Sequence, residues 1–343
     1  MTHEHEHARQ DPDTVASVGE LGVLDRIVRR LPGAAAAELG PGDDCAVLAA
    51  PDGRFVVTTD MMVHGPDFRW AWSSPEDVGW KSAATNLSDV AAMGARPTSL
   101  VVALAVPPDT PVAVLEGFAD GLAAACAALA PGCGVVGGDL STSATFTVAV
   151  TAFGDLEGRP PVLRSGARVG DQVAVAGELG VAASGLARLF ADGTDGHGEP
   201  DAARTAAFLA ASAGGSDPGV DRQRRPHPPI EAGVRAAVAG ATSMLDLSDG
   251  LAIDAARLAR ASGVVIDLDP DVVPDGVALY GGEDHALFAT YPAAAGLPSG
   301  FRRIGTVVDV GGAPGATPGV RRGGVPVDPA GWDPYADWDG RRG

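Results

Sequence analysis

Residues 74–95 read SPEDVGWKSAATNLSDVAAMGA and carry clear start and stop signals for a helix. The serine, proline and two acidic residues at 74–77 suit the cap and the positive N-terminal end, and Gly94 suits the C-terminal end. We therefore predict a helix over 75–93. Asp89 comes late in this otherwise apolar-faced helix, where an unpaired carboxylate facing the core would be unfavourable. Its position indicates a functional role better than a solvated surface charge.

Hydrophobic periodicity and turn residues predict the other elements. The predicted helices are Leu21–Leu31, Val112–Leu129 and Asp249–Ala261, and the predicted strands are Ala46–Leu48, Phe55–Thr59, Leu100–Val106, Thr145–Phe153, Val173–Val175, Met244–Leu247, Val264–Leu268 and Phe288–Thr290. Residues 1–18 are expected to be a disordered polar tail. The mixture of strands and helices in both halves predicts an α/β (α+β mixed) fold with two domains, 19–155 and 156–343. The second domain carries a variable excursion at 192–225, with only a brief helical stretch near Ala202–Ala211.

Composition limits the classes of function. The chain has 343 residues, of which 45% are apolar, and this suits two globular domains. A formal net charge of −19 makes nucleic acid an improbable partner. No apolar stretch of about 18 residues lacks glycine, proline or charge, so we expect no membrane span. The three cysteines form no CxxC pair and the N-terminus has no secretory pattern, which favours a cytoplasmic protein.

The usual nucleotide-binding motifs are absent from the sequence. There is no GxxxxGK[ST] and no GxGxxG, and the one lysine, Lys81, lies within a predicted helix. In their place stand five short acidic motifs: Gly40–Asp44, Thr58–Asp60, Asn86–Asp89, Gly137–Asp139 and Asp246–Gly250. Each motif alone is of a kind commonly found in turns. Asp246 is different, because it stands at the end of a predicted buried strand. Converging carboxylates repel one another, and Mg²⁺ prefers a few carboxylates together with phosphate oxygens. The set therefore indicates a metal-assisted phosphate site.

These motifs, in this order and at these separations, resemble the thiamine-monophosphate kinase family. That family belongs to a superfamily with aminoimidazole ribonucleotide synthetase, selenophosphate synthetase and a hydrogenase maturation factor. The resemblance runs from Gly19 to about Trp332, and the elements Arg164–Ala167 and Gly281–Asp284 favour the kinase branch. It implies a two-domain aminoimidazole ribonucleotide synthetase-like fold and a homodimer joined through N-terminal strands. It also implies ATP-dependent phosphorylation of thiamine phosphate to thiamine diphosphate by direct transfer.

The resemblance also assigns roles to individual residues. It implies ligands for several Mg²⁺ ions at Asp44, Thr58, Thr59, Asp60, Asp89, Asp139, Asp246 and Asp249, among which Asp60, Asp89, Asp139 and Asp249 are the expected catalytic residues. It implies ATP contacts at Gly138, Asp139, Arg164 and Ser248, and substrate contacts at Glu283 and Trp332. An aromatic face suits a cationic thiazolium, and a carboxylate can meet an aminopyrimidine. No general base is required, because the acceptor phosphate oxygen is already anionic at pH 7.

Two departures from the family pattern concern the acceptor side. The family usually has a histidine directly before a phenylalanine, whereas here Asp67 precedes Phe68 and His64 comes three residues earlier. Either His64 reaches the substrate through a shifted loop or the acceptor site has changed, so His64 and Asp67 are both candidate substrate-binding residues. The segment Gly331–Tyr335 also lacks the family's usual His-Phe ending. Two alternatives therefore stay open: an enzyme of the same superfamily with another small acceptor, and a nucleotide-binding paralogue without catalysis.

Overall fold

The computed structural model describes residues 13–39, 46–311, 316–332 and 340. The helices in these ranges are α1 (Val15–Val18), α2 (Glu20–Val28), α3 (Pro75–Ala92), α4 (Val112–Leu129), α5 (Val181–Asp192), α6 (Ala202–Ala211), α7 (Pro218–Arg224), α8 (Ile230–Val238), α9 (Leu251–Ser262) and α10 (Val277–Tyr280). The strands are β1 (Ala37–Leu39), β2 (Val47–Leu48), β3 (Val56–Val63), β4 (Arg96–Val106), β5 (Gly134–Thr142), β6 (Thr147–Asp155), β7 (Gln172–Ala176), β8 (Ser243–Leu247), β9 (Val265–Leu268), β10 (Ala286–Tyr291), β11 (Phe301–Val308), β12 (Gly319–Arg322) and β13 (Val325–Pro326). The predicted mixed α/β fold class is confirmed.

The N-terminal half is built on a four-stranded sheet in the order β3-β6-β4-β5. Neighbouring strands are antiparallel except for β4 and β5, which are parallel. In this register Asp60 on β3 lies level with Val150, Val102 and Gly138 on the successive strands. Side chains alternate between the faces of a strand, so these positions share the face that α3 covers.

The C-terminal half is built on a seven-stranded sheet in the order β13-β12-β9-β11-β7-β10-β8. One face packs on α9 and forms its own hydrophobic cluster. The other face contributes Ala174, Ala176, Leu287 and Ala289 to the core that surrounds α3. Helix α3 therefore lies between the two sheets, and the two halves share one continuous core.

Helix α4 packs against α3 at very close range. A Cβ atom added at Gly121 would lie 2.1 Å from the carbonyl oxygen of Glu76, and one added at Gly79 would lie 2.0 Å from that of Phe118. The two glycines therefore allow the backbones to approach more closely than any larger residue would permit. By length and composition α4 could cross a membrane, but half of it is buried inside this fold.

The N-terminal and excursion segments differ from the expectations. Part of the expected tail forms α1, because Thr14 and Ser17 make a capping box and the backbone N–H of Val15 donates to the carbonyl oxygen of Thr110. Residues 1–12 lie outside the described part of the chain. The helix expected to reach Leu31 ends at Val28. The excursion 192–225 contains α7 in addition to the expected α6, because an aspartate caps its start.

We expect Gly121→Ala to destabilise the protein by about 2 kcal/mol or more, since α3 and α4 would have to separate. Gly33→Ala is the matched control, because nothing lies within 4 Å of a Cβ atom added there. Urea denaturation of the two variants measures the difference. Equal midpoints for both would contradict the close packing.

Candidate active site

Two aspartates of the N-terminal half are held together by β3 and the end of α3. The hydroxyl of Thr58 donates to Oδ2 of Asp89 at 2.9 Å, and the backbone N–H of Asp60 donates to Oδ1 of Asn86 at 3.0 Å. Thr58 and Asp60 lie two residues apart on one face of the strand, while Asn86 and Asp89 are one helical turn apart. The local periodicities of a strand and a helix therefore direct these side chains toward each other.

Two further aspartates come from the C-terminal half. Asp246 is buried at the end of β8, and its Oδ2 lies 3.2 Å from Nδ1 of His285, which is also buried. Asp249 precedes α9, and Arg257 donates to its Oδ2 at 2.6 Å. The same guanidinium nitrogen donates to Asp254 at 2.6 Å, so one arginine holds Asp249 against the first turn of α9.

The charges of Asp246 and Asp249 act on the two aspartates of the N-terminal half. Burial raises the pKa of Asp89 to about 7, with further increases from the charges of Asp246 and Asp60. Burial also raises the pKa of Asp60, and Asp246 and Asp249 add to that increase. For His285, burial acts to lower the pKa, but the hydrogen bond and charge of Asp246 raise it overall. The cluster is therefore short of positive charge.

The donor set fits a hard divalent cation that is shared with a ligand. Among the described residues, no three His, Cys, Asp or Glu side chains already surround a single ion position. Mg²⁺ does not require such a cage, because it binds through one or two carboxylates and completes its shell with water and phosphate oxygens. The mutual repulsion within the cluster is what such an ion would relieve.

An aromatic cavity of about 350 Å³ adjoins this cluster. Its walls include Phe68, Trp72, Phe190, Tyr280 and Trp332, and its polar lining residues include Asp67, Arg69, Gln223 and Glu283. The backbone N–H of Trp332 donates to the carbonyl oxygen of Asp249 at 3.0 Å. The cavity and the acidic cluster are thus joined through this contact.

The two candidate residues of the 63–68 loop have different surroundings. Asp67 lines the cavity, and its Oδ2 accepts a hydrogen bond from the backbone N–H of Val63 at 2.7 Å. Burial is the main cause that raises the pKa of Asp67. His64 packs instead against aromatic rings, with its ring centre 5.5 Å from that of Phe68 and 5.8 Å from that of Trp70.

Other predicted residues lie apart from the cluster. Thr59 points to the opposite face of β3, where its hydroxyl donates to the carbonyl of Val150. Asp139 is exposed on β5, three strands from β3 and about 14 Å away at the usual strand spacing. With Gly138 it lines a separate, mostly apolar cavity of about 420 Å³. Arg164 is exposed, and Asp44 lies outside the described residues.

Several residues of the site were missed by sequence reasoning. They are Asn86, Asp254, Arg257, His285, Gln223 and Lys81. Asp254 and Arg257 could have been found, since they are three residues apart on one face of a predicted helix that begins at the acidic motif. The others act through partners that are distant in sequence.

Sequence identity relates the chain to known proteins over almost its full length. It is 41% identical over 356 aligned residues to the thiamine-monophosphate kinase of Mycobacterium tuberculosis strain H37Rv, covering 98% of this chain and 96% of that protein. The chain belongs to the thiamine-monophosphate kinase family. The corresponding protein of Corynebacterium glutamicum is 38% identical over 88% of this chain and 91% of its own length. The family described as AIR synthase related protein, N-terminal domain, matches residues 42–156.

Solved structures of the thiamine-monophosphate kinase family have the same fold. The enzyme from Stenotrophomonas maltophilia matches with a TM-score of 0.72 and 31% identity, covering 89% of this chain and 97% of that chain. The structure described as AaThiL complexed with AMPPCP and TMP matches with a TM-score of 0.68 and 30% identity, covering 94% and 99%. A hydrogenase maturation protein, HypE, shares the fold at 20% identity and a TM-score of 0.63, covering 86% of this chain and 92% of that chain.

The acidic cluster predicts that the metal-free protein loses stability as pH rises from about 4 to about 7. The pKa of Asp89 is about 7 in the folded state and near 4 in the unfolded state, so Asp89 stays protonated to a higher pH in the folded protein. Ionisation in this window therefore lowers the free energy of unfolding, by on the order of a few kcal/mol. Asp89→Asn should remove this part of the slope.

Urea denaturation in EDTA at stepped pH tests this prediction. Asp192→Asn is the matched control, because Asp192 is exposed at the end of α5, and it should keep the slope of the unsubstituted protein. If Asp89→Asn kept that slope as well, the repulsion inferred for the cluster would be contradicted.

Proposed function

We propose that this chain transfers the γ-phosphoryl group of ATP to the phosphate of thiamine monophosphate, forming thiamine diphosphate. The observation that carries the proposal is the juxtaposition of the acidic cluster and the aromatic cavity, joined at Asp249 and Trp332. The acidic cluster suits metal-bound phosphates, and the aromatic cavity suits a flat organic cation. Family membership supports the same reaction, as does the complex of AaThiL with AMPPCP and TMP.

The proposed metal is Mg²⁺, held by Asp60, Asp89, Asp246 and Asp249 with Thr58 as a supporting residue. Bound Mg²⁺ would neutralise the charge that develops on the transferred group. Thr59, Asp44 and Asp139 stay proposed ligands on the strength of their motifs, with Asp139 also a proposed catalytic residue. Within the chain, Thr58 and Arg257 hold the carboxylates in place before substrate arrives, which reduces the reorganisation that the reaction requires.

The proposed acceptor site is the aromatic cavity. Trp332 offers an aromatic face to the thiazolium cation, and Glu283 offers carboxylate oxygens to the N–H groups of the aminopyrimidine. The apolar walls limit the access of water, which would otherwise compete as an acceptor. On the nucleotide side, Gly138, Asp139, Arg164 and Ser248 are the proposed ATP contacts. Ser248 lies between Asp246 and Asp249, directly beside the cluster.

A homodimer through the open face of the four-stranded sheet is part of the proposal. Phe55, Val57 and Met61 alternate along this face and are 57–62% exposed. An apolar sheet face of this kind is commonly covered by a partner. A cytoplasmic location is also proposed, because Cys126 and Cys133 are free buried thiols and suit a reducing compartment.

Asp67 favours one alternative function, phosphorylation of a different small acceptor. A carboxylate in the wall of the cavity disfavours an incoming phosphate unless a cation stands between them. Acceptors with a positive or hydrogen-bond-donating end and a smaller negative charge would meet this wall more favourably.

We expect purified protein to form thiamine diphosphate from ATP and thiamine phosphate only when Mg²⁺ is present. Asp89→Asn should lower kcat by at least about 100-fold, because the carboxylate that would bind Mg²⁺ becomes a weaker amide ligand. Chromatographic detection of the product measures both rates, and Asp192→Asn serves as the active control. ATP-dependent stabilisation without turnover on any acceptor would favour a non-catalytic paralogue, and turnover on another acceptor alone would favour the alternative.

We expect the native protein to be a dimer and Val57→Lys/Met61→Lys to be a monomer, because two charges per chain would enter the apolar interface. The matched control is Val238→Lys/Val325→Lys, which introduces the same charge at valines that are 71% and 66% exposed elsewhere. Size-exclusion chromatography with light scattering gives the masses. A monomeric native protein would contradict the proposed assembly.

A further inference from the structure

Lys81, the one lysine of the chain, is buried in the middle of α3. It is 4% exposed, and its Nζ lies 2.6 Å from Oε1 of Glu283. A lysine is rarely buried without a partner, because removing its charge from water is unfavourable. This ion pair links the central helix of the N-terminal half to the loop before β10 in the C-terminal half.

A second side chain holds the other oxygen of Glu283. Nε2 of Gln223 donates to Oε2 at 2.6 Å. Gln223 is in α7, so the excursion at 192–225 supplies part of the wall of the aromatic cavity. The excursion is itself anchored to α3, through the 2.5 Å contact of Arg225 with Asp77 and the hydrogen bond from Trp80 Nε1 to the carbonyl of Pro226 at 2.7 Å.

The backbone at Glu283 is also fixed. Its φ is +69°, in the left-handed region that residues with a Cβ rarely occupy. Its N–H donates to the carbonyl of Ser248 at 2.8 Å, and the neighbouring carboxylate of Asp284 accepts from the backbone N–H groups of Val181 and Ala182. A strained position persists when the surroundings over-determine it, and such positions cluster at ligand sites.

The two contacts leave part of the Glu283 carboxylate available. A carboxylate has about four acceptor positions, and among the described residues Lys81 and Gln223 occupy two of them. The side chain is 32% exposed and lines the aromatic cavity beside Trp332. The unoccupied acceptor positions are therefore accessible to a ligand in that cavity.

We propose that Lys81 and Gln223 are positioning residues that set acceptor specificity through Glu283. They hold the carboxylate of Glu283 in one orientation, so that its remaining acceptor positions select a heterocycle carrying N–H donors over an otherwise similar ring that lacks them. The inference rests on the proposed kinase function and extends it to residues outside the acidic motifs. Because a site that hydrogen-bonds a donor discriminates strongly against an analogue without it, the effect is one of specificity.

The test compares Lys81→Met, Glu283→Gln and the double variant. Lys81→Met should raise the KM for thiamine phosphate about 10-fold or more while the KM for ATP stays within about twofold. Its preference for thiamine phosphate over the analogue with an oxo group in place of the pyrimidine amino group should fall by a similar factor. In the Glu283→Gln background, Lys81→Met should change either quantity by less than about twofold, because its action passes through that carboxylate.

Ser82→Ala is the matched control on α3, since Ser82 is buried beside Lys81 and its hydroxyl donates to the carbonyl of Val78 within the helix. It should leave both KM values unchanged. If Lys81→Met does not fold, Gln223→Ala makes the same test from the other oxygen, with a smaller rise in KM that is again absent in the Glu283→Gln background.

Equal rises in both KM values, or independent effects of Lys81→Met and Glu283→Gln, would overturn the inference. Retained preference for the amino-bearing acceptor would overturn it as well. These results require an active native enzyme, so they are distinct from failure of the kinase proposal itself, in which the native protein forms no thiamine diphosphate.

Discussion

The structure depends on α3, a buried helix whose polar side chains contact elements of both halves of the molecule. Helix α3 lies between the two sheets, so its buried polar side chains must find hydrogen-bonding or ionic partners inside the protein. Asn86 and Asp89 meet β3, Ser88 donates to the carbonyl of His285, and Lys81 meets Glu283. These contacts bring the two halves of the molecule into one fixed arrangement, and the acidic cluster forms where they meet.

The cluster is unfavourable for the folded chain on its own. Beside burial, the charges of Asp246 and Asp60 raise the pKa of Asp89, and the charges of Asp246 and Asp249 raise that of Asp60, on a protein whose formal net charge is −19. Within the described residues, His285 lies against the carboxylate of Asp246, and Arg257 donates to the carboxylates of both Asp249 and Asp254. A site of this kind gains more from a divalent cation than a neutral one would, which is consistent with binding phosphates without a lysine-bearing loop.

The sequence predicts those parts of the fold that have local causes. The bounds of α4 are those predicted, and α3 ends within one residue of its prediction, because capping residues and apolar spacing act over a few positions. Strand β5 was missed because Gly137 and Gly138 lower strand propensity, although a Cβ atom at Gly138 would lie 2.1 Å from the carbonyl of Val102. The glycine is required by the close approach of β4, and a contact with a strand distant in sequence cannot be read from local strand propensity.

The residues of the candidate site likewise divide into those that local motifs predict and those that depend on the tertiary fold. Asp60, Asp89, Asp246 and Asp249 were predicted because each stands in a short motif, and the fold brings these four residues to the boundary between the two halves. Thr59 was included by motif although strand alternation directs it to the other face. Arg257 is only eight residues from its partner Asp249, but Asn86 and His285 are 26 and 39 residues from Asp60 and Asp246, so only the tertiary fold reveals these two contacts.

The charge of the buried Lys81 acts on Asp67, in the 63–68 loop that departs from the family pattern. Lys81 acts to lower the pKa of Asp67, while Glu283 acts to raise it, so the two carboxylates share the influence of one ammonium group. The buried guanidinium group of Arg69 lines the same cavity, so Asp67, Glu283, Lys81 and Arg69 together carry two negative and two positive charges when all are ionised. The carboxylate of Glu283 still offers a local negative charge to a cationic ring, which favours entry of the proposed acceptor with its heterocycle toward Glu283 and its phosphate toward the acidic cluster. Asp67, which stands where the family resemblance leads us to expect a histidine, is then compatible with thiamine phosphate as the proposed acceptor, because nearby cations balance its charge.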